Sequence, residues 1–160
     1  MRTSTLVRSL GHPPEAVSAF LSDLRNDLKW RPEILRVDLI SGTPGQAGAQ
    51  YKEWVTWEGL HAEAHLTTPE VVPGSRLVVF AKDPGYESTY EYAFAEAEGG
   101  CELTLTMSLE TTGPLRLIEP FMWSLVSRWV TGSLDALDAV LDDELARPTQ
   151  DRQSPQTASP

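Results

Sequence analysis

The apolar residues of this chain change period twice, and that change restricts the folds open to it. From Ile34 to Leu109 side-chain character alternates with a period of two, while on either side apolar residues recur at helical spacing. Turn-forming stretches (SGTPGQAG, EG, PGS, DPG and EGG) cut the central region into short runs. The runs ILRVDLIS, QYKEWVTW, HAEAHLTTPEVV, RLVVFAK, STYEYAFAEA and CELTLTMSL read as successive strands, and TSTLVRSL as an opening strand before them. Connections this short join antiparallel neighbours into a meander.

The flanking segments are helical. HPPEAVSAFLSD places Pro ahead of a run with Val17, Phe20, Leu21 and Leu24 at helical spacing, and NDLKWRP reads as a second short helix ended by Pro32. From about Leu115 to Ala146, Phe121, Leu125, Trp129, Leu137 and Leu141 mark one long helix, with a bend allowed near Pro120. The expected fold is α+β: a curved seven-stranded antiparallel sheet wrapped around a long C-terminal helix, with two short helices after the first strand. A sheet with one apolar face needs that face covered, and the final helix alone is long enough to do it. A gap between the two is where a ligand would sit. The stretch RPTQDRQSPQTASP is nearly devoid of apolar residues, so residues 147–160 are expected to be a disordered tail and 1–146 one domain.

Charge and motifs exclude several functions. The chain carries 23 acidic and 13 basic residues, a formal charge of -10, with no Lys/Arg cluster, which disfavours nucleic acid and anionic lipid surfaces. MRTSTLVRSLG lacks the apolar core of a signal peptide, and no apolar run approaches the roughly 20 residues of a membrane span. Stable membrane insertion is therefore not expected. The single Cys101 makes no internal disulfide, so a reducing, cytoplasmic location is expected. GTPGQAG lacks the Lys-Ser/Thr ending of a phosphate loop, and neither a nucleophile elbow nor a Ser-His-Asp order is present. No cofactor and no metal are expected. An apolar small molecule remains as the partner, and the oligomeric state is left open.

The first-helix stretch PPEAVSAFLSD, the segment KWRPEI, the GAQYKEW glycine and aromatic, the link PEVVPGSRLVVF and the terminal amphipathic helix occur in an order and spacing that resemble the SRPBCC superfamily. This superfamily is also called START-like or Bet v 1-like, and the likeness is to its polyketide cyclase/dehydrase branch. The resemblance implies a helix-grip fold with a hydrophobic cavity between sheet and C-terminal helix. Its members include lipid and sterol carriers, hormone binders and aromatase/cyclases. They share no catalytic motif, so the resemblance carries no active site onto particular residues.

Strand alternation assigns candidate cavity residues. In CELTLTMSL the inward set is Cys101, Leu103, Leu105, Met107 and Leu109; in STYEYAFAEA it is Tyr90, Tyr92 and Phe94. The two tyrosines either orient a polar point on a ligand or pack in the core with their hydroxyls at the rim. In QYKEWVTW the inward set is Tyr51, Glu53, Val55 and Trp57. Glu53 is then either a functional acid or base in an apolar pocket or a strand-end residue reaching solvent. On the long helix Phe121, Leu125 and Trp129 share a stripe with Met122 and Arg128 beside it, Arg128 either anchoring a ligand oxygen or snorkelling to water. Trp30 is expected to plug the closed end.

The stretch HAEAH holds two of the chain's three histidines at alternate positions. Alternation turns Ala62, Ala64, Leu66 and Thr68 inward and leaves His61, Glu63 and His65 on the solvated face. Two histidines on an outer face fall short of the three protein ligands a zinc site usually takes.

The leading expectation is a binding module for a lipid, an isoprenoid or a polyketide-like ring system. An enzyme of cyclase or dehydratase type would use the same cavity, with Tyr90, Tyr92, Glu53 and Arg128 as candidate proton-transfer or anchoring groups. A protein interaction module is a third possibility.

Overall fold

In the computed structural model, which describes residues 1–146, the element order follows the sequence pattern closely. Strand β1 (Arg2–Leu10) is followed by α1 (Pro14–Ser22), a 3-10 turn at Leu24–Asn26 and α2 (Asp27–Trp30). Strands β2 (Ile34–Ser41), β3 (Gln50–Trp57), β4 (Leu60–Val72), β5 (Arg76–Asp83), β6 (Tyr86–Ala97) and β7 (Gly100–Thr111) come next. A 3-10 turn at Gly113–Leu117 leads into α3 (Glu119–Leu145). The expected disordered tail at 147–160 lies outside the described residues.

The strands form one antiparallel seven-stranded sheet in the order β1-β7-β6-β5-β4-β3-β2, so β2 to β7 run as a meander and β1 docks on its far end. Turn chemistry fixes the register. Glu58 and Gly59 both have positive φ, as a two-residue turn matched to strand twist requires, and this sets Glu53 opposite Ala64 and Val55 opposite Ala62. At the other end of the sheet, a Cβ on Gly100 would lie 2.0 Å from the Leu10 carbonyl oxygen, so only glycine lets β1 meet β7 there. Pro69 falls where the β4–β5 register shifts, a place where its missing N–H costs no ladder bond.

The inner face of the sheet, α1 and the second half of α3 share the main core. Val17 and Leu21 of α1 meet Leu77, Leu103 and Leu105 of the sheet and Leu134, Leu137 and Leu141 of α3. Polar bonds tie α3 to its neighbours at its two ends. Glu119 takes the Thr111 N–H and hydroxyl and lies 3.3 Å from Arg2. Further on, Arg8 donates to Asp135 at 2.8 Å, the Gly11 N–H to Asp138 at 2.9 Å and Lys29 to Glu144 at 2.6 Å. His12 meets Asp142 at 2.6 Å. Among the described residues, the stretch 120–134 makes no such bond to another element and is held by apolar packing alone. Among the described residues no helix is long and apolar enough to cross a membrane.

Gly132 lies on the exposed side of α3, and a Cβ added there would meet nothing within 4 Å. Gly132→Ala is expected to stabilise the protein by about 0.5–1 kcal/mol, because alanine loses less backbone entropy in a helix. Urea denaturation monitored by circular dichroism checks this.

Candidate functional site

Between the inner face of the sheet and the first half of α3 lies a cavity of about 70 Å³. Val55, Trp57, Ala64, Leu66, Ala81, Tyr86, Tyr90 and Met107 line it from the strands, and Met122, Trp123, Val126 and Trp129 from the helix. Trp57 and Trp129 meet across the gap with ring centroids 5.3 Å apart, tilted by 53°, so sheet and helix are joined there by an aromatic pair. Ala64 has little bulk and stands opposite Glu53 in the register, and both border the cavity.

The polar end is built from the turn after α2 and the middle of β3. Arg31 and Glu33 flank Pro32, and both line the cavity together with Glu53. Arg31 Nε donates to Glu33 Oε1 at 2.8 Å, while Arg31 Nη1 lies 3.7 Å from Asp27 Oδ2. Trp30 Nε1 donates to Asp27 Oδ1 at 3.3 Å. Glu53 is hydrogen-bonded to Asp27, which requires a proton between the two acids. Burial, followed by the Asp27 charge, pushes the Glu53 pKa well above the usual carboxylate range. Burial raises Asp27 as well, but Arg31 and the hydrogen bonds from Glu53 and Trp30 oppose the shift. Glu53 is therefore the acid that burial and the neighbouring Asp27 hold in its protonated form. One guanidinium is left to serve the Asp27 and Glu33 carboxyl groups. Glu33 Oε2, Glu53 Oε1 and Trp57 Nε1 are buried with no protein hydrogen-bond partner.

Several residues expected at the site are where alternation placed them. Glu53 points inward and is 3% exposed, so it does not reach solvent at a strand end. Val55, Trp57, Ala64, Leu66, Tyr90, Met107 and Trp129 border the cavity with it. Burial raises the Tyr90 pKa. Others are buried without lining the cavity. Trp30, Tyr51, Tyr92, Phe94 and Leu105 belong to the core, Ala62 packs against it, and Leu125 is buried on α3. Tyr92 stacks with Phe94 at 6.5 Å, and the Tyr51 hydroxyl accepts the Gly45 N–H at 3.3 Å.

One expectation for α3 is corrected: Phe121 is 59% exposed and does not face the cavity. Arg128, for which two readings were open, is exposed to water and does not line the cavity. At roughly 100° per residue, Phe121 and Arg128 both fall on the side of the helix opposite Val126, Ser133 and Leu137. The stripe through Phe121, Leu125 and Trp129 drifts around the helix, and Met122 takes the inward place instead.

In HAEAH the histidines face outward. His65 pairs with Asp83 at 2.6 Å, and Glu63 bonds Lys52 and Trp54 on the same outer face. Among the described residues, the group whose ligand atoms come within reach of one another is His12, Asp138 and Asp142, well away in sequence from this strand.

Asp27, Arg31 and Glu33 were not singled out from the sequence. Charged residues in a short Pro-containing segment look like surface, and the one available signal was that RPE directly follows the buried Trp30.

A sheet gripping one long helix over an apolar cavity with a charged end defines a helix-grip protein built around an internal chamber. The chain belongs to the polyketide cyclase / dehydrase and lipid transport family, whose sequence profile matches residues 1–142. No curated protein sequence matches it. Solved structures share the fold at low identity. The Zhui aromatase/cyclase from Streptomyces sp. R1128 superposes with a TM-score of 0.74 at 13% identity, covering 90% of this chain and 95% of its own. A START superfamily protein from Mycobacterium smegmatis gives 0.73 at 12%, covering 88% and 97%. A protein from Thermus thermophilus gives 0.72 at 16%, covering 89% and 98%.

The assignment of the proton predicts a pH effect. Glu53 has a folded pKa above its unfolded value, so its contribution to stability is complete below the unfolded pKa and is lost as pH rises through the folded one. Between those two values the wild type loses about 1.4 kcal/mol per pH unit from this group. Glu53→Gln mimics the protonated acid and lacks this loss. The stability of the variant relative to wild type is expected to rise with pH above about 4.5, as urea unfolding across a pH series would measure.

Proposed function

We propose that this protein binds an apolar or amphipathic small molecule, such as a lipid, an isoprenoid or a polyketide-like ring system, between the sheet and α3. The observation that carries this reading is the pairing of aromatic walls with buried polar atoms that no protein group satisfies. A core made only for stability would satisfy or omit such atoms. The family, whose description joins cyclase/dehydrase and lipid transport, supports the same reading.

The cavity of about 70 Å³ is small beside the roughly 300–1,000 Å³ of pockets that hold drug-sized ligands. A larger ligand enters by moving the 120–134 stretch of α3 outward, parting Trp57 from Trp129. That stretch lacks the polar ties that hold the helix at Glu119 and from Asp135 onward.

Trp57, Trp123 and Trp129 around the cavity make binding visible. A panel of aromatic, isoprenoid and fatty-acyl compounds is expected to include ligands that change tryptophan fluorescence saturably. Ala64→Leu, which fills the space beside Glu53, is expected to weaken them at least about tenfold, or about 1.4 kcal/mol. A flat response to the whole panel would count against the proposal.

The neutral Glu53 carboxyl and the Tyr90 phenol favour a second reading, a cyclase or dehydratase. Either group can give a proton to a leaving hydroxyl or a ketone oxygen held in the cavity. On that reading Glu53→Gln lowers kcat for a polyketide-like substrate by about 10²–10⁴-fold. Unchanged kcat would remove Glu53 from any catalytic role.

A further inference from the structure

We propose that the polar end of the cavity is a hydrogen-bond acceptor site that selects uncharged ligand hydroxyls over carboxylates, with Glu33 and Glu53 as the residues that set the preference. The proposal rests on the cavity being a ligand site and adds what part of the ligand must reach its charged end.

The unsatisfied atoms define the chemistry. Glu33 binds Arg31 through Oε1 at 2.8 Å, which leaves Oε2 as a buried acceptor without a partner. Glu53 Oε1 is likewise a buried oxygen without a partner, on a residue that lines the same cavity. Both side chains are more than nine-tenths buried, at 6% and 3% exposure, and both line the cavity. Trp57 Nε1–H is a further unsatisfied donor among the residues that line the cavity. A hydroxyl suits the two acceptors, since it can donate to a carboxyl oxygen and still accept from a donor such as an indole N–H.

A carboxylate does not suit it. It can accept from Trp57 but has nothing to donate to Glu33 or Glu53, and the cation lining this end is already engaged. Arg31 stands between Glu33 and Asp27, two carboxylates for one guanidinium. A third negative charge in this poorly solvated end would be repelled and would lose its own hydration. A buried arginine at a cavity end is the usual form of an anion anchor, yet here its neighbours reverse the preference. An ammonium could donate to the acids, but it would have to shed its water against the apolar walls formed by Val55, Leu66, Met107 and Met122.

The test uses four compounds on one ring system: naphthalene, 2-naphthol, 2-naphthoate and 2-(aminomethyl)naphthalene. Each is titrated at pH 7 into the full chain while the tryptophan indole N–H signals are followed by NMR. The expected result is that 2-naphthol binds at least about tenfold tighter than any of the other three, the worth of one or two buried hydrogen bonds, and moves the Trp57 signal. Glu33→Gln, with its fold checked by thermal unfolding, is expected to narrow the naphthol-to-naphthoate ratio at least about threefold. If naphthalene binds and the naphthoate or the amine equals or exceeds 2-naphthol, the selectivity is wrong while the cavity reading stands. If Glu33→Gln does not fold, the wild-type ranking alone decides. If none of the four binds, the cavity reading fails and this proposal with it.

Discussion

The buried network of Arg31 with Asp27, Glu33 and Glu53 is the constraint around which the rest of the cavity is arranged. Placing three carboxyl groups and one guanidinium in a poorly solvated interior costs several kcal/mol per ion unless charges are paired and protons shared. Here the cost is limited in two ways. Arg31 lies against Glu33 and near Asp27, and burial beside Asp27 favours the neutral form of Glu53. The network also joins α2 and the following turn with β3, so the closed end of the grip meets the sheet at the strand next to its β2 edge. Replacing Glu53 by an apolar residue would leave Asp27 without one of its hydrogen-bond donors, a harsher change than a Gln substitution.

The helix that closes the cavity is built in two different ways along its length. Its second half buries Leu134, Leu137 and Leu141 and carries the ties from Arg8, Gly11, His12 and Lys29. Its first half presents Met122, Trp123, Val126 and Trp129 to the chamber and leaves Phe121 exposed. Apolar contacts are not directional, so this half can shift and repack where the ion-paired half cannot. One helix thus anchors the fold with its second half and, on the proposed reading, supplies with its first half the wall that a ligand displaces.

Much of the architecture was legible because strand period and turn chemistry are local properties. The alternation in CELTLTMSL and STYEYAFAEA set the inward faces correctly, and the EG turn fixed a register in which Ala62 and Ala64 point inward and His61 and His65 outward. The helix face was harder. A stripe drawn at intervals of four drifts around α3, which is why Phe121 was expected inside and Met122 was placed only beside the stripe. The charged end was least legible. Whether Arg31, Glu33 and Asp27 face water or one another depends on how the turn after α2 folds back over β3, a tertiary relation with no periodic trace. Glu53 was visible as an inward carboxyl, but the partners that keep it neutral were not.

The central claim is that Glu53 is an uncharged acid inside the cavity. Its side-chain carboxyl ¹³C shift, assigned by comparison with Glu53→Gln and followed through a pH titration, tests this directly. The structure predicts that this resonance stays at the protonated position to a pH well above the usual carboxylate range. A Glu53 signal that titrates within the usual carboxylate range would show that the acid is charged near neutral pH and would return a further negative charge to the site.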